Sequence, residues 1–229
     1  MTVMNGQGGS SSDSPAPRKG RANHQHSGPQ NATGILLIGG ESRRFGSPKA
    51  LARLGDQTLA EQAWETLGEV CIERIAVGKE RDTLPLPFPL IDDGFEQRAP
   101  AIGVLAGLRA STTEVSIVVP VDYPLITPAV LHALVDACAD AAVPKSWRQT
   151  GVLPGAFARS ALYVFESRIA QKLFSLKGAL MNLRVVEVEV DTEILLNVNT
   201  VADAELAAAK IRALRRSGPS LRTADWNRL

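Results

Sequence analysis

The chain has 229 residues, 45% hydrophobic and 21% charged, which is long enough for one well-buried α/β-sized domain and is the balance of an ordinary globular protein. Its 25 Lys and Arg are offset by 24 Asp and Glu, so the basic excess expected of a nucleic-acid binder of this size is missing. The first apolar run, Ile35 to Ile38, arrives late and is too short to target or span a membrane, so a cytoplasmic protein with no membrane or nucleic-acid partner is expected.

Residues 1–32 are rich in Gly, Ser, Pro, Asn and Gln and carry too little apolar surface to offset the entropy of ordering, so a disordered tail is expected there. His24 and His26 have no Cys or carboxylate partner nearby in this stretch and are read as solvated, not as a metal site. A domain is expected over residues 33–214, with a C-terminal tail over 215–229. Strand-like runs at Gly34–Ile38, Arg74–Val77, Leu90–Ile91, Ser116–Val121 and Val185–Val190 alternate with helical patterns. That alternation predicts a three-layer αβα, Rossmann-like fold with a mostly parallel sheet and an antiparallel edge strand.

Thr58-x-x-Glu61 has the form of a capping box, and Leu59, Ala63, Leu67 and Val70 then recur on one helical face. Thr127-Pro128 reads as an N-cap with proline at the first helical position, leading into Leu131, Leu134, Val135 and Cys138. His132 falls beside that apolar face. Cys71 and Cys138 lie in apolar helical patterns far apart in sequence and are expected to be reduced core residues. From Arg184 to Val190 the residues alternate as a half-exposed edge strand, and an Ala- and Leu-rich helix is expected from Thr200 to about Leu214.

The segment from Leu37 to Lys49 follows the first strand directly, where an open α/β sheet binds its ligands. Gly39 and Gly40 let backbone N–H groups approach phosphate oxygens, and Arg44 and Lys49 supply positive charge, as a triphosphate cradle requires. The spacing is neither a Walker loop nor the G-x-G-x-x-G of dinucleotide folds. It resembles instead the signature L-x-G-G-x-S-x-R-x-G-x-x-K of the molybdenum cofactor guanylyltransferase (MobA-type) family, met here by Leu37, Gly39, Gly40, Ser42, Arg44, Gly46 and Lys49. The resemblance continues through Asp92, Gly103-Val-Leu-Ala-Gly107, Pro120-Val-Asp122-Tyr-Pro124 and Asn197-Val-Asn199-Thr200, and covers about residues 34–212.

The resemblance implies an enzyme that moves a nucleoside monophosphate from GTP to a molybdenum-pterin with Mg2+ as cofactor. It also implies transient contact with molybdoenzymes or cofactor-delivery proteins. Asp122, at the end of the apolar run Ile117-Val-Val-Pro-Val121, is read as the Mg2+ ligand, the alternative being a turn residue capping the Tyr-Pro that follows. With Lys49 and Arg44 it makes the expected catalytic set, and Leu37, Gly39, Gly40, Ser42, Lys49, Asp92 and Asp122 are expected at the nucleotide. Asp93 is read as solvated, beside the turn-forming Gly94. Asn-x-Asn is an ordinary turn pattern on its own; the resemblance places Asn197 and Asn199 on the acceptor side, with Thr200 capping the last helix. Without a Ser-His or Cys-His pair, the chemistry rests on charge and positioning, since a phosphate acceptor needs no general base.

Two positions depart from the family pattern. Val104 stands where Gly-Pro-Leu-Ala-Gly is common, leaving the loop its glycines without its proline, and Gly78 stands where some guanylyltransferases place an asparagine near the base. Cations for an anionic acceptor are expected from Arg148, Arg159, Arg168, Lys172, Lys177 and Arg184, the alternative being a solvated face. The rival readings are another base or acceptor, such as cytidylyl transfer or a sugar phosphate, and a non-catalytic nucleotide-binding adaptor.

Overall fold

A computed structural model describes residues 28–39, 48–147 and 150–216. His24 and His26 therefore lie outside the described residues, as do Gly40, Ser42, Arg44 and Gly46 of the glycine loop and Arg148. The described chain begins with β1 (Gln30–Leu37), a small hairpin of β2 (Arg53–Leu54) and β3 (Gln57–Thr58), then α1 (Leu59–Val70) and β4 (Cys71–Gly78). It continues through β5 (Leu90–Asp92), α2 (Pro100–Ala110), β6 (Val115–Pro120), α3 (Pro128–Ala137) and β7 (Ala141–Lys145). β8 (Gly155–Ala158), α4 (Leu162–Ala170), α5 (Leu176–Leu180), β9 (Val185–Glu189) and α6 (Val201–Arg216) complete it.

The main sheet has seven strands in the order β5-β4-β1-β6-β8-β7-β9. β1 pairs parallel with both β4 and β6, and β4 with β5. The sheet is mostly parallel as expected, but its reversed strand is interior: β8 runs antiparallel between β6 and β7, while the edge strand β9 is parallel to β7. Side chains of successive β1 residues leave on opposite faces, so the sheet builds two cores. Leu36 joins Leu59 and Leu67 of α1, Leu131 of α3 and Ala207 of α6. Ile35 and Leu37 join Ile102 and Leu105 of α2 with Phe165 of α4. These are the three layers.

Local signals explain where the elements start. The Thr58 and Glu61 side chains each bond the other's backbone N–H, closing the capping box, and Leu59, Ala63, Leu67 and Val70 are all buried. Thr127 caps α3 through Val130 N, with proline at the first turn as predicted. β1 begins at Gln30, ahead of the expected boundary at residue 33, because Ala32 is fully buried and the strand reaches that far along β6. His132 is a second correction. It is buried, and its ring Nδ1 meets Gln30 Oε1 at 2.9 Å, so a polar side chain at the start of β1 receives it. Gly103 and Gly107 are not loop residues either: both lie within α2, and a Cβ on Gly107 would stand 2.5 Å from Ile35 Cγ2. Here glycine is what lets α2 lie close on β1.

The cysteines lie at element ends: Cys71 opens β4 and is buried, and Cys138 follows α3 half-buried. Both are free thiols, and burial pushes them up, to about 12 and about 11, so neither is a nucleophile at neutral pH.

Candidate active site

Because β1, β4, β5 and β6 run in one direction, their carboxyl ends open on a common rim. A cleft of about 1100 Å³ lies there, walled by Leu37, Gly39, Gly78, Pro100, Asp122 and Asn197 among others. Ile38 N donates to Val77 O at 2.7 Å and Val121 N to Leu37 O at 3.1 Å, so the ladder fixes the rim up to its last residues. Gly39 lines the cleft, and a Cβ on it would meet nothing within 4 Å among the described residues. Gly78 is different: a Cβ there would stand 2.4 Å from the Ile38 carbonyl oxygen, and the strands as placed admit no asparagine.

Three predicted residues gather around Asp122, which lines the cleft at the end of β6. Lys49 opens a 3-10 turn (Lys49–Leu51), and its Nζ lies 3.3 Å from Asp122 Oδ2 and 3.1 Å from Asn199 Oδ1. Asp122 is delivered by the end of β6, and its carbonyl accepts from Val198 N at 2.9 Å, which ties the Asn197–Asn199 segment to the rim. Asn199 N and Thr200 N both donate to the Asp203 carboxylate, and Asp203 N to Thr200 Oγ1, so Thr200 caps α6 as predicted. The Asn199 amide, ahead of the Thr200 hydroxyl, holds the Asp203 carboxyl below its usual range. Asp122 Oδ1 and Asn197 Oδ1 are buried with no hydrogen-bond partner among the described residues. Burial raises the Tyr123 hydroxyl above its usual range, with the Asn197 side chain beside it acting the other way.

The structure does not bring Asp92 into the cleft. Its Oδ2 accepts from Glu80 N at 2.8 Å and its Oδ1 from Gly94 N at 2.7 Å, so both oxygens serve the surrounding loop. Those amides, Glu80 first, hold the carboxyl below its usual range. Asp93, expected to be solvated, is the inward residue: it lines the cleft and pairs with buried Lys79 at 2.6 Å. Sequence reasoning missed this pair, whose two members are 14 residues apart and join only through the β4–β5 pairing.

The cations expected for an acceptor are placed elsewhere. Arg159 donates to the Ser111 carbonyl, Arg184 pairs with Asp140, and neither these nor Arg168, Lys172 or Lys177 line the cleft. Its wall on that side is Val152, Leu153, Phe174, Ser175 and Leu176, while the arginines that do line it are Arg81 and Arg98. They are held by Glu96 and by Asp82 respectively.

Residues 34–186 match the MobA-like NTP transferase domain. The chain belongs to that family. A molybdenum cofactor guanylyltransferase of Desulfosudis oleivorans is 30% identical over 198 residues, covering 81% of this chain and 98% of that protein. A crystal structure of a molybdopterin-guanine dinucleotide biosynthesis protein A from Archaeoglobus fulgidus superposes with a TM-score of 0.67 at 25% identity, covering 79% of this chain and 99% of the other. A 2-C-methyl-D-erythritol 4-phosphate cytidylyltransferase from Thermus thermophilus, at 17% identity and a TM-score of 0.61 over 80% of this chain and 100% of its own, shares the fold. This MobA-like NTP transferase is thus a nucleotidyltransferase with the three-layer fold of its relatives. Among the described residues no helix is long and apolar enough to cross a membrane.

Proposed function

We propose that this protein transfers GMP from GTP to the phosphate of a molybdenum-pterin, releasing pyrophosphate. The observation that carries the reading is the cluster of Lys49, Asp122 and Asn199, joined at 3.3 and 3.1 Å, beside two buried oxygens without partners, Asp122 Oδ1 and Asn197 Oδ1. Buried acceptors normally have partners, so two such oxygens on residues that line one cleft fit a cation supplied with the substrate. Among the described residues no group of three or more His, Cys, Asp or Glu could hold a metal ion by itself. That suits Mg2+, which takes one or two carboxylates and completes its shell with phosphate oxygens and water. Asp122, with Asn197 next to it, would hold it, and it would offset charge on the triphosphate.

An acceptor phosphate oxygen forms a bond to the α-phosphorus while the bond from that phosphorus to the bridging oxygen breaks, and pyrophosphate leaves with the electron pair. No proton need be removed from the acceptor. In this reading the Lys49 ammonium neutralises negative charge growing on the α-phosphate, and its contacts with the carboxylate of Asp122 and the amide oxygen of Asn199 orient it for that role. The open face of Gly39 admits phosphate oxygens to the backbone. Apolar Val152, Leu153 and Phe174 suit the ring system of a pterin better than a sugar phosphate.

Pyrophosphate release, measured with each of GTP, CTP, ATP and UTP in the presence of Mg2+ and the molybdenum-pterin, tests this directly. Release with GTP that depends on the pterin is expected. Release with CTP alone would change the base, and binding without release would favour the adaptor.

A further inference from the structure

The hydrogen bonds at the start of α6 exceed what a helix cap requires. Thr200 N donates to Asp203 Oδ2 at 2.8 Å and Asp203 N to Thr200 Oγ1 at 3.2 Å, and these two bonds alone close a reciprocal capping box. Asp203 Oδ2 also accepts from Asn199 N at 2.9 Å, a donor that precedes the box. The box of α1 differs: Glu61 Oε2 takes its donors from Thr58 itself, the backbone N at 2.7 Å and the hydroxyl at 2.9 Å. Glu or Gln is the usual residue at this place, and the shorter Asp203 sets one oxygen against two successive backbone amides.

Those two amides bracket the Cα of Asn199. Because each peptide is planar, holding both fixes the backbone on either side of that residue, and with it the direction of its Cβ. Val198 N, just upstream, donates to the Asp122 carbonyl at 2.9 Å and ties the segment to the end of β6. The Asn199 side chain thus has a set origin, and its Oδ1 stands 3.1 Å from Lys49 Nζ. Lys49 needs such a guide, since its ammonium ends a long stem with much rotamer freedom and its contact with Asp122 is the longer one, at 3.3 Å. The Asn199 backbone amide does most to hold the Asp203 carboxyl below its usual range, and the Lys49 ammonium, the weakest of the causes, acts in the same sense.

We infer that Asp203 is a positioning residue for the transfer: it fixes Asn199, and Asn199 in turn holds the Lys49 ammonium where the α-phosphate reacts. This rests on the nucleotidyltransferase reading and deepens it. Asp203 touches no substrate in this scheme and takes no proton. A misplacement of about 1 Å, caused away from the reacting atoms, costs as much as about 10²-fold in rate. Ground-state binding of GTP changes little, because on the same reading its triphosphate also meets the Gly39 backbone.

The test compares Asp203→Ala, Asp203→Asn, Thr200→Ala, Asn199→Ala and the double variant Asn199→Ala/Asp203→Ala, all in the full chain. Asp203→Ala should lower kcat for pyrophosphate release about tenfold and leave KM for GTP within about twofold, the pattern of an interaction used in the transition state. Asp203→Asn keeps an oxygen that accepts from both amides and should recover most of that rate. Thr200→Ala weakens the cap but spares Asn199, so its thermal midpoint should fall by a few degrees at an unchanged rate per folded molecule. The double variant should be no slower than Asn199→Ala alone, since residues acting in series do not add. Additive losses, or a lower midpoint without a lower kcat, would reduce Asp203 to a cap and overturn the inference. Should Asp203→Ala fail to fold, Asp203→Ser, too short to bridge both amides, takes its place with the same expectations.

A second readout needs no turnover: acetylation of Lys49 by acetic anhydride, followed by mass spectrometry with the exposed Lys172 as internal reference. Asp203→Ala should speed the reaction of Lys49 and Thr200→Ala should not; equal rates would overturn the inference whatever this protein transfers. If the wild-type protein releases no pyrophosphate from any NTP while Lys49 responds as expected, the transferase reading falls and the positioning of Lys49 by Asp203 stands.

Discussion

The two ends of β1 both lie beside buried polar groups, and they differ in how those groups are satisfied. At the amino end, Thr33 Oγ1 donates to Glu73 Oε2 at 2.6 Å, Ser111 Oγ to Thr33 Oγ1 at 2.8 Å, and Ser116 Oγ to Ser111 Oγ at 2.9 Å. Thr113 Oγ1 completes the cluster by donating to the Val115 carbonyl. At the carboxyl end Lys49 and Asn199 gather around Asp122, yet Asp122 Oδ1 and Asn197 Oδ1 have no partner among the described residues. A closed network joins strands; an open one waits for a ligand. The desolvation cost of the open oxygens is one the fold carries until a cation or donor arrives.

That contrast can be broken most sharply at Asp122. Asp122→Ala should lower pyrophosphate release by about 10³-fold, the scale of losing a group that stabilises transferring charge. Its thermal midpoint should not fall, because the change also removes an orphaned acceptor; a large drop in the midpoint would mean that Asp122 is a structural turn residue. Lys49→Met should cost somewhat less, about 10²-fold in turnover, and should do so without a change in secondary structure by circular dichroism.

At the closed end the signs reverse. Thr33→Val should destabilise the fold by about 1–3 kcal/mol in a urea titration, since Glu73 and Ser111 lose a buried partner, while the rate per folded molecule stays the same. The effect carries a pH signature. The Thr33 hydroxyl, ahead of the Thr112 backbone amide and hydroxyl, holds the Glu73 carboxyl below its usual range, although partial burial opposes this. A carboxyl with a lowered folded pKa contributes stability above its unfolded pKa, about 4.3, and loses it as pH falls through the folded value. The gap between wild type and Thr33→Val should therefore close as pH drops below roughly 4. Thr58→Ala is the smallest change: loss of the α1 cap should cost about 1 kcal/mol and leave turnover unaltered.

Legibility in the sequence followed the range of the interactions. Elements set by neighbours were readable: the Thr58–Glu61 cap and the Thr127-Pro128 start stand where the residues place them, and β9 lies at the sheet edge, although Val186, expected on its apolar face, is exposed. β7 and β8 were not read as strands. Ala141-Ala-Val-Pro-Lys145 contains proline and Gly155-Ala-Phe-Ala158 is short with small side chains, so neither shows a clear period, and their partners in the sheet define them. Asp122, Lys49 and Asn199 were each visible as residues after a strand, in a glycine-led loop or before a helix, and the structure brings them together. Which of Asp92 and Asp93 faces the cleft was not legible, because adjacent residues leaving a strand point opposite ways, and the pairing of Asp93 with Lys79 is what turns it inward.

The reversed strand β8 has a consequence for how this enzyme could be remade. Since Val118 pairs with Gly155 and Val115 with Ala158, β8 enters the sheet at the cleft rim and leaves at the far end. Val152 and Leu153, just before it, thus form a cleft wall that does not continue β1, β4 or β6, the strands next to the proposed nucleotide site. Such a wall is a replaceable module. On the proposed reading, grafting a different sequence there would offer the same nucleotide chemistry to a new acceptor, with β1, β4 and β6 left as they are.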